Sequence, residues 1–209
     1  MTNYFILGAV SINKKNNVQL VLDKIADSIE LLFTTNNFTP LLRICRLFVQ
    51  KQPHLFHTAI ENNYFYLLSQ FIPIVSLKLL QQKNQLGETV LLHILRLNRL
   101  DIFKILLEKK RFAELIDAVN NKKQNLFHLL AMNKDAEEIC DLLIEYLMKK
   151  SINIEEKFGN VDEDNRTPLE LSIINNNQPV TRYLLKHFNN DTSLIISNGI
   201  LFGRIQIID

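Results

Sequence analysis

Glycine and proline are scarce in this chain, with five of each among 209 residues. Two cysteines, Cys45 and Cys140, are all the thiols there are, and neither has a partner close in sequence. That excludes a disulfide framework and a zinc-type cysteine spacing, and it predicts buried, reduced thiols. No stretch approaches the ~18 consecutive apolar residues of a membrane span. The apolar N-terminus, Met1 to Val10, lacks a basic lead and is short for a signal peptide. Net charge is only +2, with 24 basic and 22 acidic side chains, too balanced to argue for nucleic acid. There is no glycine-rich phosphate loop, no G-x-S-x-G and no C-x-x-C. No serine, histidine and acid share a spacing that favours a catalytic triad. With no cofactor motif either, the expectation is an intracellular, cytoplasmic protein that is not an enzyme, with shuttling to the nucleus left open.

What is present is hydrophobic content of 47%, enough for a core, and a phrase that recurs. It reads His54-Leu55-Phe56-His57-Thr58-Ala59, Thr89-Val90-Leu91-Leu92-His93-Ile94, Asn125-Leu126-Phe127-His128-Leu129-Leu130 and Thr167-Pro168-Leu169-Glu170-Leu171-Ser172. Successive starts, at 54, 89, 125 and 167, lie 35, 36 and 42 residues apart. Each phrase is expected to open a helix. Thr89 and Thr167 are N-cap candidates, because a hydroxyl can accept from the free N–H groups of a first turn. Pro168 suits the first helical position, where its missing N–H is not needed. For the second unit, helices are expected from about Val90 to Leu97 and from about Leu100 to Glu108. Nine residues after each phrase begins stand Asn63, Asn98, Lys134 and Asn176. With glycine scarce, asparagine is the next residue that tolerates positive φ, so these positions are predicted to be turns between paired helices. The third unit then needs one inserted residue to place Leu142 and Leu143.

Upstream, Val18 to Phe33 is amphipathic, Asn36 to Pro40 reads as a turn and cap, and Pro40 to Val49 as a further helix. Thr39-Pro40 lies too close to His54 for a full unit. Residues 1–50 are therefore expected to be an N-terminal helical cap or a degenerate repeat, 51–190 the repeat domain and 191–209 a short apolar tail.

Over residues 50–188 the phrase, caps and turns resemble the ankyrin repeat, whose period is about 33 and whose signature is T-P-L-H-x-A. The resemblance implies an all-α solenoid of about four helix-turn-helix units with protruding fingers, and recognition of a protein partner. It also implies that His57 and His128, at the motif's histidine position, bond neighbouring backbone and tie fingers together. Helix-pair spacing of roughly 10 Å puts such histidines too far apart to share a metal ion. Two departures are expected to lower stability. Bulky residues stand where close helix packing favours small ones, as at Ile94-Leu95, and Leu92 and Glu170 replace the motif histidine.

The connections Lys109 to Gln124 and Ser151 to Arg166 are long. Lengthened fingers resemble the inhibitor-type (IκB-like) ankyrin proteins that bind Rel-family (NF-κB) transcription factors. The second connection carries Glu155, Glu156, Asp162, Glu163 and Asp164, opposed by Lys157. Like charges on a protruding loop would steer a basic partner segment, such as one from a transcription factor. A solvated loop is the plainer reading, and a generic scaffold or a bacterial or viral effector module binding another host protein is the competing function. Around Arg96 to Arg111, pairs such as Asp101 with Lys104 suggest a solvated helical face.

Overall fold

The structure, a computed structural model, describes residues 54–152 and 155–187. The helices expected between 18 and 50, the 191–209 tail and Cys45 lie outside the described residues. The chain divides into two compact units, Met1–Leu79 and Leu80–Asp209. Every regular element among the described residues is helical.

The first unit holds α1 (His54–Glu61) and α2 (Phe65–Phe71). Phe56 and Phe71 meet edge to face, with ring centroids 6.4 Å apart, inside a core that includes Ile60, Leu67 and Leu68. Between the helices Asn63 takes φ 55°, the left-handed turn predicted for it. The short α3 (Leu77–Leu80) follows.

Among the described residues the second unit contains three helix pairs. They are α4 (Val90–Arg96) with α5 (Leu100–Leu107), α6 (Leu126–Met132) with α7 (Glu137–Lys149), and α9 (Pro168–Ile174) with α10 (Gln178–His187). The first helices α4, α6 and α9 pack in one row, and the second helices α5, α7 and α10 in another. This is the expected all-α solenoid of helix-turn-helix units. The inner row is sealed by apolar side chains at every turn: Leu91, Leu95, Phe127, Leu130 and Leu169 are all buried.

Local chemistry sets the helix starts. The Thr89 hydroxyl accepts from the Leu92 N–H at 3.5 Å, and Asn125 Oδ1 accepts from the N–H groups of Phe127 and His128. At α9 the capping is reciprocal. Thr167 Oγ1 accepts from the Glu170 N–H at 3.3 Å, and Glu170 Oε2 accepts from the Thr167 N–H at 2.7 Å. Glu170 is therefore a compensated departure from the motif, since its carboxylate closes the same capping box that His128 closes with Asn125 at α6.

Asn98 and Asn176 take φ 51° and 53°, as predicted from their position in the frame. Lys134 does not. Helix α6 ends at Met132, Asn133 is extended at φ −109°, and four residues rather than three precede α7. The extra residue lets the chain reverse without a left-handed turn. Asn133 Oδ1 accepts from the Asp135 N–H and its carbonyl from the Ala136 N–H. The inserted residue expected in this unit is thus in the turn itself.

Both long connections are structured. Before the third unit a 3-10 helix, Phe112–Leu115, buries Phe112, Leu115 and Ile116. Phe112 stands edge to face with Phe103 at 6.1 Å and with Tyr146 at 4.9 Å. Before the fourth, α8 (Glu155–Gly159) buries Phe158 against Phe127 at 4.6 Å and Tyr183 at 6.3 Å. Each insert is held by one phenylalanine seated between consecutive units. Burial raises the Tyr183 hydroxyl to about 12, and it raises the Cys140 thiol to about 12 as well, helped by the charges of Asp141 and Glu137. Cys140 is therefore an inert core thiol.

Leu106, on α5, is fully buried. Leu106→Asp places a carboxylate there with no partner and should cost about 3–5 kcal/mol. Thermal melting followed by circular dichroism should show repeats two and three lost together; an unchanged melting temperature would contradict this frame.

Candidate functional site

Three loops project ahead of α4, α6 and α9, and they share one five-residue design: Asn84 to Glu88, Asn120 to Gln124 and Asp162 to Arg166. In each, the first side chain's Oδ1 accepts from the N–H of the third and fifth residues, at 2.9–3.0 Å. The first and fifth residues also exchange a backbone bond from N–H to C=O, at 2.9–3.0 Å. The fourth residue takes positive φ: Gly87 74°, Lys123 57° and Asn165 59°. The fifth side chain then bonds the first. Asn84 Nδ2 donates to Glu88 Oε2, Asn120 Nδ2 donates to Gln124 Oε1, and the Arg166 guanidinium donates to Asp162 Oδ2.

The loops are joined to one another through backbone. The Asn121 N–H donates to the Leu86 carbonyl at 3.0 Å, and the Glu163 N–H to the Lys122 carbonyl at 2.9 Å. Asn121 Nδ2 adds a bond to the Gln85 carbonyl. Contact there is so close that a Cβ on Gly87 would lie 2.1 Å from Asn121 Oδ1 and 2.7 Å from its backbone nitrogen.

His128 supplies a second tie, as the motif implied. The Asn125 N–H donates to its Nδ1 at 3.2 Å, which leaves Nε2–H to donate to the Arg166 carbonyl at 3.1 Å. Nδ1 also sits 2.8 Å from Asn125 Oδ1, the acceptor it would use if protonated. Burial holds the His128 midpoint below its ordinary 6.5, against the opposing pull of the Arg166 carbonyl and Asp162. His57 and His93 are both buried. Among the described residues no cluster of three or more His, Cys, Asp or Glu side chains is placed to hold a metal ion.

The five acids of the long connection have different surroundings. Asp162 is buried and is the first residue of the fourth finger. Burial would push its carboxyl up, but hydrogen bonds from the Arg166 side chain and from the Arg166 and Asp164 backbone outweigh this and hold it below 3.8. Asp164 also pairs with Arg166, and Glu163 faces Lys122 at 3.8 Å. Glu155 and Glu156 open α8, and their side chains lie outside what the structure describes. Lys157, on the same helix, pairs with Asp117 of the preceding connection, and its carbonyl accepts from Asn125 Nδ2 at 2.8 Å. Lys104 reaches Glu138 at 2.7 Å, across to the next unit, rather than Asp101.

Between the finger row and the ends of the inner helices runs an open groove of about 770 Å³. Its finger side carries Leu86, Asn121 and Lys122, and its helix side Arg96, Met132, Lys134 and Asp135. Leu86 and Met132 are large apolar side chains left 51% and 47% exposed. None of these was singled out from sequence as a site. The signal available was positional: Arg96 and Met132 are each the seventh residue of their inner helix, and Leu86 and Lys122 are each the third residue of a finger.

Paired helices stacked in two rows, with fingers locked edge to edge, define a helical repeat protein with a presented surface. Residues 110–195 match the family model for ankyrin repeats (3 copies). The chain thus carries ankyrin repeats over that stretch, and its array is a protein–protein interaction module. No curated protein matches the chain. Among the described residues no helix is long and apolar enough to cross a membrane.

Two expectations test this geometry. Gly87→Val combines an unfavourable φ with the Asn121 clash and should cost about 1–3 kcal/mol in urea unfolding. Gly159→Ala, where an added Cβ meets nothing within 4 Å, should change stability by under about 0.5 kcal/mol. Equal effects would mean the fingers are not in contact. The second concerns pH. Folded His128 stays neutral at a pH where an unfolded histidine takes up a proton. Its contribution is therefore complete above about pH 7 and is lost as pH falls through 6.5 towards the lower folded midpoint. The stability difference between wild type and His128→Gln should shrink from pH 7.5 to pH 5. A difference that is flat over this range would show that His128 is not held neutral.

Proposed function

We propose that this chain docks a protein partner in the groove between its fingers and inner helices. The observation that carries the reading is the exposure of Leu86 and Met132 on facing sides of one concavity. Large apolar side chains at the centre of a patch with a polar rim are what partner recognition uses. A rigid scaffold supports the patch, since its finger wall is held by backbone bonds between units. A cytoplasmic site of action is part of this proposal, and the reduced, buried Cys140 is in keeping with it.

A narrower version makes the chain an IκB-like regulator that masks a Rel-family factor through its acidic finger. In its favour stands the lengthened connection before the fourth finger, with Glu163 and Asp164 exposed at the tip. The pairing of Asp162 and Asp164 with Arg166, and of Glu163 with Lys122, reduces the field that such steering needs. A pull-down against a Rel-homology dimer tests it, and no binding at micromolar concentration removes it.

The groove itself is tested by capture of partners from the native cell. Met132→Glu should lower recovery of the main partner by roughly tenfold, while Met148→Glu, on the outer helix α7 and 64% exposed, should leave it unchanged. Equal recovery with both variants, each folded by circular dichroism, would remove the groove as the docking face.

A further inference from the structure

The charges around the groove differ in what they can offer a ligand. Glu88 lines it, but its side chain is 1% exposed and is fully engaged. It accepts from Arg96 Nε at 2.6 Å and from Asn84 Nδ2 at 2.8 Å. Its charge therefore positions Arg96 and closes the first finger. The exposed acid on the groove wall is Asp135, next to Lys134.

Against it stand three cations. Arg96 lines the groove with its side chain 34% exposed, and its charge is already met by Glu88. Lys122 faces Glu163 at 3.8 Å, with side chains 64% and 46% exposed. Exposed pairs at such a distance contribute little, so an incoming carboxylate can replace Glu163 at small cost. Lys134 is exposed at the helix end of the wall, and among the described residues it takes part in none of the ion pairs. Leu86 and Met132 flank these cations on the two sides.

Resting on the reading that this groove is the docking face, we infer that its occupant is an acidic segment of a protein chain that also carries large apolar side chains. Carboxylates meet Lys122 and Lys134, and the apolar side chains cover Leu86 and Met132. A basic segment would bring like charges against the two lysines and leave their desolvation uncompensated. The sign is opposite to the one the acidic finger suggests when its sequence is read alone.

The test uses the full chain and three short fluorescent peptides in a glycine–serine background. The first carries glutamates and leucines, the second lysines in place of the glutamates, and the third glycines in place of the leucines. The first should bind at least about tenfold more tightly than either of the others at low salt, and should weaken as salt rises. The double variant K122E/K134E should bind the basic peptide in preference to the acidic one. Equal or better binding of the basic peptide, no binding of any peptide, or an unchanged preference in the double variant overturns the inference. Failure of the docking face itself would look different. In that case Met132→Glu would leave capture of the native partner unaffected, whereas partner loss with Met132→Glu alongside peptides of equal affinity removes only the choice of charge.

Discussion

Each finger depends on one side-chain oxygen. Oδ1 of Asn84, Asn120 or Asp162 takes two backbone N–H groups that the loop would otherwise leave to water, and it holds a reversal that only a left-handed fourth residue can complete. Once the reversal is fixed, the second residue's N–H is aimed at the preceding finger. Asn121 and Glu163 use it to reach the carbonyls of Leu86 and Lys122. A local choice of residue thereby becomes contact between units. The fifth side chain extends the effect inward: Glu88 engages Arg96, and Gln124 Nε2 lies 3.4 Å from Met132 Sδ. The finger that shapes the loop also positions the side chain on the opposite wall of the groove.

How much of this could be read from the chain depends on how local each interaction is. Asn63, Asn98 and Asn176 were legible because a left-handed turn is decided by the residue occupying it and by the frame around it. Thr89 and Thr167 were legible as caps for the same reason. Lys134 failed because one extra residue before α7 removes the need for positive φ, and the length of a connection alone does not show where the addition falls. Asn120 stands five residues before its cap Asn125, as Asn84 does before Thr89, but Lys123 at the left-handed fourth position is not a residue type that marks such a turn, and the 3-10 helix earlier in the same connection was equally unmarked. That helix, like α8, is held by an aromatic contact across units, and no periodicity marks such a contact. Glu170 looked like a loss against the motif, and only its reciprocal bonds with Thr167 show otherwise. The groove was illegible because its walls join residues about 36 positions apart, such as Leu86 and Lys122.

The acidic stretch shows how charge counted along a chain can mislead about charge presented to a partner. Of the five carboxylates, Asp162 is part of the architecture, Asp164 shares its arginine, and Glu163 faces a lysine of the neighbouring finger. The lysines at 122 and 134, unremarkable in sequence, come to border the cavity where Leu86 and Met132 are exposed. Burial and pairing decide which charges a partner meets.

The fingers are coupled through backbone, and the first side chain of each sets this coupling. Amide hydrogen exchange measures it directly. The N–H groups of Asn121 and Glu163 should be protected in the native protein, and Asn120→Ala should release both, since its finger carries the donor of one contact and the acceptor of the other. Rapid exchange at Asn121 and Glu163 in the folded wild type, or protection that survives Asn120→Ala, would contradict it.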